Sequence, residues 1–158
     1  VRIHDISKMD FDPNLKLGYQ AIQDLEPDLK RFQEDLVWAE HFVLGFPMWW
    51  GGMPAMVQGL FDRALLPGFA FKFVEGEMLQ KKLLTGRSAR ALITMDTPSG
   101  WYRFVLGRPL TLRLRRQILK FCGFKPAKIK LYAGVGHSKP EQRAKWLSDA
   151  KALGKQGA

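Results

Sequence analysis

A layered α/β fold built on a parallel sheet is what the sequence predicts, and three observations predict it. Strand-like and helix-like stretches alternate along the chain. His41 to Phe46 is apolar without alternation, which suits a central parallel strand buried on both faces, and Ser88 to Met95 is a second apolar strand. Lys128 to Ala133 alternates strictly, with Ile129, Leu131 and Ala133 inward and Lys128, Lys130 and Tyr132 outward, which suits an edge strand.

The remaining elements follow in order. Val1 to Asp5 reads as a short strand and leads into a loop rich in Asp, Pro and Gly. Pro27 opens a helix with Leu29, Phe32, Leu36 and Ala39 on one face. Pro54 starts a second helix carrying Met56, Leu60, Phe61, Ala64 and Leu65. Leu110, Leu114, Ile118 and Cys122 recur at i+4 spacing, and Gly123 is a natural stop. Ser138 and Glu141 form a capping-box pattern for a last helix ending near Gly154.

Bulk properties narrow the function classes. At 158 residues the chain makes one domain with a sizeable core. No apolar run approaches the roughly 20 residues that span a bilayer, and the first residues do not resemble a secretory signal. The single cysteine, Cys122, excludes an internal disulfide and fits a reducing, cytoplasmic setting. A net charge of +10 points to anionic partners. A nucleic-acid module is disfavoured: no binding motif is present, and the aromatics fall at strand ends rather than on a basic sheet face. His4, His41 and His137 show no metal-ligand spacing, so no metal is expected. Cys122 reads as packing, and Asp62 and Arg63 as a surface or structural pair.

In parallel sheets, ligands bind beyond the carboxyl ends of the strands. Two unusual loops occupy that position: PMWWGGMP after one strand and DTPSGWY after the next. Gly51 and Gly52 permit close backbone approach or positive φ, and Trp49 and Trp50 offer flat apolar walls. The pair of loops would suit a planar heteroaromatic ligand. A plainer reading has the tryptophans capping the core and the glycines only making the turn.

The stretches FPMWWGGMPAMVQGLFDRALLPGFAF, TMDTPSGWYRFVLGRP and FCGFKP resemble the flavodoxin-like NAD(P)H:quinone oxidoreductases, in particular their bacterial NAD(P)H dehydrogenase (quinone) branch. The likeness runs through essentially the whole chain. It implies a three-layer sandwich with a parallel sheet ordered 2-1-3-4-5, a homodimer, and a flavin, FAD or FMN, that takes hydride from NAD(P)H and passes it to a quinone-like acceptor. By resemblance, Pro47, Met48, Trp49, Trp50 and Gly51 line one edge of the flavin ring, and Thr94, Met95, Asp96 and Thr97 approach its pyrimidine end. Tyr102 falls on the family's active-site tyrosine. The histidine that often assists it is absent from RFVLGRPL, which leaves Arg103 or Arg108 to supply positive charge. Trp50, Phe71 and Phe73 would wall the acceptor pocket, with the two phenylalanines reaching over the partner subunit's flavin. Some relatives are ancillary proteins of potassium-efflux systems, so peripheral association with a membrane transporter is an alternative role.

One departure matters. The family begins with a strand and a loop that binds the flavin phosphates, whereas this chain starts at what resembles the second strand. The first strand would sit between strands 2 and 3, and its absence would leave a gap of roughly 9.6 Å. The expectation is that residues 1–158 form a single domain, N-terminally incomplete. Otherwise another segment or chain fills the slot, or strand 2 has moved. Either way, flavin affinity of these residues alone is expected to be weak.

Overall fold

A computed structural model describes residues 1–157. Its main sheet has three parallel strands: β1 (His41–Pro47), β4 (Ser88–Met95) and β5 (Ala127–Ala133), in the order β1-β4-β5. A two-residue antiparallel pair, β2 (Phe71–Lys72) and β3 (Lys81–Lys82), forms a separate hairpin. The helices are α1 (Pro27–Trp38), α2 (Ala55–Ala64), α3 (Ser99–Phe104), α4 (Pro109–Leu112), α5 (Lys120–Cys122) and α6 (Pro140–Lys155). A π-helical segment, Arg113–Leu119, joins α4 to α5 in one continuous helix. Its buried leucines, Leu114 and Leu119, are five apart, the interval of an i→i+5 turn.

Register decides what each sheet face carries. Phe42, Ala89 and Ala127 are opposed, as are Leu44, Ala91 and Ile129, and Phe46, Ile93 and Leu131. These nine residues are all apolar and point to one face, the closed face. It packs on Leu29, Phe32 and Leu36 of α1, on Val57, Leu60 and Phe61 of α2, and on Leu110, Leu114 and Leu119 of the long helix. Phe42 meets Phe32 edge-on at 6.1 Å and Phe124 at 5.9 Å. Side chains one residue over point to the opposite, open face: His41, Val43, Arg90, Leu92, Lys128, Lys130 and Tyr132. Among the described residues only α6 lies there, with Trp146 on Tyr132 at 5.6 Å, and α6 buries none of its residues.

Three expectations need correction. Residues 1–5 form no strand; with no neighbouring described strand to pair with, Arg2 and His4 bind the Asp35 carboxylate of α1 instead. Among the described residues β1 stands at the sheet edge rather than its centre: it pairs there with β4 alone, and Val43 is 54% exposed on the open face. Strand apolarity predicts burial only where a neighbour exists to supply it. Ser138 does not cap α6 either, because Lys139 is the capping residue and the Ser138 hydroxyl donates to Val135 O at 2.6 Å while accepting from Arg143 Nε.

A strap holds the loop before α1 onto α2. Arg63, fully enclosed on α2, donates to the carbonyls of Asp12 and Asp24 at 2.6 and 2.7 Å and to the Glu26 carboxylate at 2.8 Å. Burial raises the Glu26 pKa, but the Arg63 guanidinium and backbone N–H groups outweigh it and hold the carboxyl below its ordinary range. Gly59 lets the strap lie flat, since a Cβ there would fall 2.3 Å from Pro13 Cβ.

Candidate functional site

The carboxyl ends of β1, β4 and β5 bring together the two loops singled out in the sequence. Pro47 is in register with Thr94, and the Met48 N–H donates to Thr94 O at 2.7 Å. The chain then reverses in a tight turn closed from both sides: Trp49 N–H to Gly52 O at 3.2 Å and Gly52 N–H to Trp49 O at 2.8 Å. The two central residues, Trp50 at φ 50° and Gly51 at φ 71°, are both left-handed, as in a type I′ turn. Glycine accepts that conformation freely. For tryptophan it costs roughly 1–2 kcal/mol.

Packing does not explain the strain. Trp49 is 60% exposed and Trp50 is entirely exposed, so neither caps the core. The amide N–H groups of Trp50 and Gly51 take no backbone acceptor among the described residues. A strained, exposed aromatic beside two free donors at a strand end is the arrangement of a binding turn.

The loop after β4 is fixed differently. Thr94 is exposed, Met95 is buried, and the Asp96 carboxylate accepts the Gly136 N–H. That bond ties the β4 loop to the loop after β5, and a Cβ on Gly136 would lie only 3.1 Å from Asp96 Oδ1. Thr97 and Pro98 lead into α3, a helix that sequence reading missed because Gly100 and flanking Ser and Pro read as loop. Trp101 and Phe104 on α3 are 57% and 79% exposed.

Tyr102 lies on the inner side of α3, enclosed by the fold. Its hydroxyl accepts the Thr111 N–H at 3.1 Å, and its carbonyl accepts the Arg108 N–H at 3.0 Å. The tyrosine therefore joins α3 to the start of α4, with its hydroxyl proton still free to donate. Arg108 is the second non-glycine residue in left-handed conformation, at φ 58°, and Arg103 stacks over the Phe104 ring at 5.4 Å.

The two phenylalanines of PGFAFKF separate. Phe71 is buried, with its ring edge-on to Phe121 at 4.9 Å, so it belongs to this chain's own core. Phe73 projects from the hairpin at 74% exposure, alongside Met78 and Leu79 in the hairpin loop. Phe71 thus backs Phe73 rather than presenting its own ring. Burial pushes the Cys122 thiol up to about 11, which fits packing and not nucleophilic use. A concavity of about 570 Å³ lies elsewhere, along α1 between Arg2 and Asp35, and no residue of these loops lines it.

Comparison with known proteins agrees with this geometry. The family described as flavodoxin-like fold matches residues 1–153. The chain is 30% identical over 135 residues to NAD(P)H dehydrogenase (quinone) 1 of Rattus norvegicus, a match covering 80% of this chain and 47% of that protein. It is 24% identical over 169 residues to FMN-dependent NADH:quinone oxidoreductase 2 of Listeria monocytogenes, covering all of this chain and 76% of that one. Among solved structures, Smu.1420 from Streptococcus mutans superposes with a TM-score of 0.76 at 27% identity, over 90% of this chain and 76% of that chain. The chain spans about half the length of the rat relative. With a parallel sheet, ligand-side loops at its carboxyl edge and a family match over nearly its full length, the chain belongs to the flavodoxin-like fold family.

Proposed function

We propose that this chain carries the flavin site of an NAD(P)H:quinone oxidoreductase. The observation that carries the reading is the Trp50–Gly51 turn, strained and exposed with two free N–H groups, beside the loop after β4. The names of its relatives support the reaction class, and the Listeria relative favours FMN over FAD.

The residues present fit the ring of a flavin. Backbone N–H donors suit its polar edge, and Trp49 and Trp50 suit its apolar faces. No glycine-rich phosphate cradle is formed among the described residues, so binding by residues 1–158 rests on the ring contacts. A bound flavin supplies the two-electron chemistry, accepting hydride from NAD(P)H and returning it to the quinone. The chain's part is to hold Pro47 to Gly51 and Thr94 to Thr97 along the ring and to exclude water with the tryptophans. Donors aimed where negative charge develops favour reduction. Tyr102 has one hydroxyl proton for that task, and Arg103 and Arg108 place positive charge on the same loop.

The acceptor pocket is completed by a second copy. Phe73, Met78 and Leu79 leave an apolar tip on the hairpin that a homodimer would cover, setting Phe73 near the partner's Trp50 loop. A sedimentation measurement showing only monomer at micromolar concentration would remove this part of the proposal.

The visible absorption spectrum of the purified protein, with the released flavin identified, tests cofactor use directly. For the role of Tyr102, Tyr102→Phe is expected to slow flavin reduction by NAD(P)H by roughly 10- to 1000-fold in stopped flow, the range for losing one charge-stabilising donor. It also leaves the Thr111 N–H without its acceptor, so a loss of about 1–3 kcal/mol in stability accompanies it. A full loss of stability with an unchanged rate would show that Tyr102 serves Thr111 alone and would move the donor role to Arg103 or Arg108.

A further inference from the structure

Two exposed apolar clusters carry opposite charge. The hairpin tip holds Phe73, Met78 and Leu79 with Glu75 and Glu77 between them, all exposed. The segment from α3 to α4 holds Trp101, Phe104, Val105 and Leu106 with Arg103 and Arg108, also all exposed. None of these four charged side chains forms an ion pair among the described residues. The basic cluster lies in an unusual stretch. Residues 97–140 contain ten of the 25 Lys and Arg and none of the 15 Asp and Glu, so the whole net charge of +10 falls there. Arg103 and Arg108 therefore have no carboxylate within reach along their own segment.

Within one chain the clusters are held apart. Tyr102 fastens the basic one to the start of the long helix, where its hydroxyl accepts the Thr111 N–H at 3.1 Å. Phe71 fastens the acidic one to the far end of that helix, edge-on to Phe121 at 4.9 Å. Thr111 and Phe121 are roughly 15 Å apart at the rise of a helix. The acidic tip is also a shaped element, closed by the Glu77 N–H on Val74 O at 3.1 Å above the Phe71–Lys82 and Lys72–Lys81 pairs. A two-fold axis across the long helix would set the hairpin end of each copy against the α3 end of the other, so that the contact occurs twice.

We propose that Glu75 and Glu77 of one copy pair with Arg103 and Arg108 of the other, so that the partner supplies two carboxylates to the loop bearing Tyr102. The inference deepens the dimer reading above and rests on it, but it does not depend on flavin. Charge complementarity selects a second copy as the occupant. Two chains of +10 repel each other at a distance, so a specific contact between them needs acids facing the basic stretch. The hairpin tip has them, set among apolar residues that match Trp101, Phe104, Val105 and Leu106. Arg suits a planar pairing with carboxylate. An anionic lipid surface or nucleic acid would serve the arginines and leave the apolar, acidic tip uncovered.

The test is a charge swap read by sedimentation equilibrium. One variant carries Glu75→Arg with Glu77→Arg, and the other carries Arg103→Glu with Arg108→Glu. Each alone sets like charges together at both contacts, and its dimer Kd is expected to rise at least about tenfold. An equimolar mixture restores opposite charges at both contacts of the mixed dimer, and its Kd should return to within about threefold of the parent chain's. Arg103→Glu alone serves as the loop variant if the Arg108 substitution disturbs the turn. A parent chain that stays monomeric at micromolar concentration removes both this pairing and the dimer. A parent dimer that neither reversal weakens, or weakened variants that do not recover on mixing, overturns the pairing and leaves the dimer standing.

Discussion

The two faces of the sheet are built from the same strands, with side chains alternating between them, and they differ in almost every physical respect. On the closed face, the opposed trios Phe42–Ala89–Ala127, Leu44–Ala91–Ile129 and Phe46–Ile93–Leu131 meet three helical elements, and Ala91 and Ile93 have no exposure at all. On the open face, Arg90 and Tyr132 are buried but unsatisfied, while Val43 remains half in water. Apolar burial scales with area removed from water, so stability resides on the closed side. On that side too, the Arg63 strap fastens the loop before α1 onto α2. The open side contributes little to this stability among the described residues.

The largest effect expected on this comparison comes from the strap. Arg63→Met removes a guanidinium that serves two carbonyls and one carboxylate, and breaking such a buried set costs about 3 kcal/mol or more. Chemical denaturation gives the value. The same pair has a pH signature. Glu26 is depressed in the folded chain, so its contribution is complete above the ordinary carboxyl range and lost as pH falls through the folded value. The acid loss should be shallower in Arg63→Met. An unchanged slope would place the acid sensitivity elsewhere.

Next is the direct comparison of faces on neighbouring strands. Ile93→Ala on the closed face should cost about 2–4 kcal/mol, because the surrounding helices cannot close the cavity. Val43→Ala on the open face should cost within about 0.5 kcal/mol. Equal losses would mean that the open face is covered in solution. Cys122 offers a smaller, reagent-free check of closed-side burial. Its thiol is raised to about 11 from 9.0, so between those values the unfolded chain loses a proton that the folded chain keeps. Stability should fall as pH rises through that window, by at most about 3 kcal/mol, and Cys122→Ala should remove that part of the slope.

The sequence made the closed face legible, and the open face misled. Leu29, Phe32 and Leu36 recur with helical spacing and are all buried; β4 spans Ser88–Met95 as read; Gly123 ends the long helix at φ 122°. These patterns depend on local periodicity, which a sequence displays. Val43 and Leu44 look equally buried in a list of letters, but burial of the first needs a neighbour that periodicity does not reveal. The WWGG turn could be located from composition, yet its choice between core cap and exposed wall depended on where the strand ended. By sequence Arg63 reads as a surface or structural pair with Asp62; its partners Asp12, Asp24 and Glu26 lie 37 to 51 positions away, beyond any local signal. Tyr102 and Thr111 are nine apart across two turns, a contact without a periodic signature.

A change of sign rather than of size tests the open face most cleanly. Tyr132 is buried under Trp146, and its hydroxyl has no partner among the described residues. Burial raises its pKa and Asp149 adds to the rise, against a lowering by Arg90, so the phenol stays neutral and gains nothing from charge. Removing an unsatisfied hydroxyl while keeping the ring preserves the Trp146 contact and ends a desolvation cost. Tyr132→Phe should therefore leave stability unchanged or raise it by up to about 1 kcal/mol. The same change made where a tyrosine is satisfied, Tyr102→Phe, should lower it. Opposite signs for two identical substitutions would show that the Tyr132 hydroxyl is unsatisfied where the Tyr102 hydroxyl is not. If Tyr132→Phe instead destabilises, the hydroxyl has found an acceptor in solution.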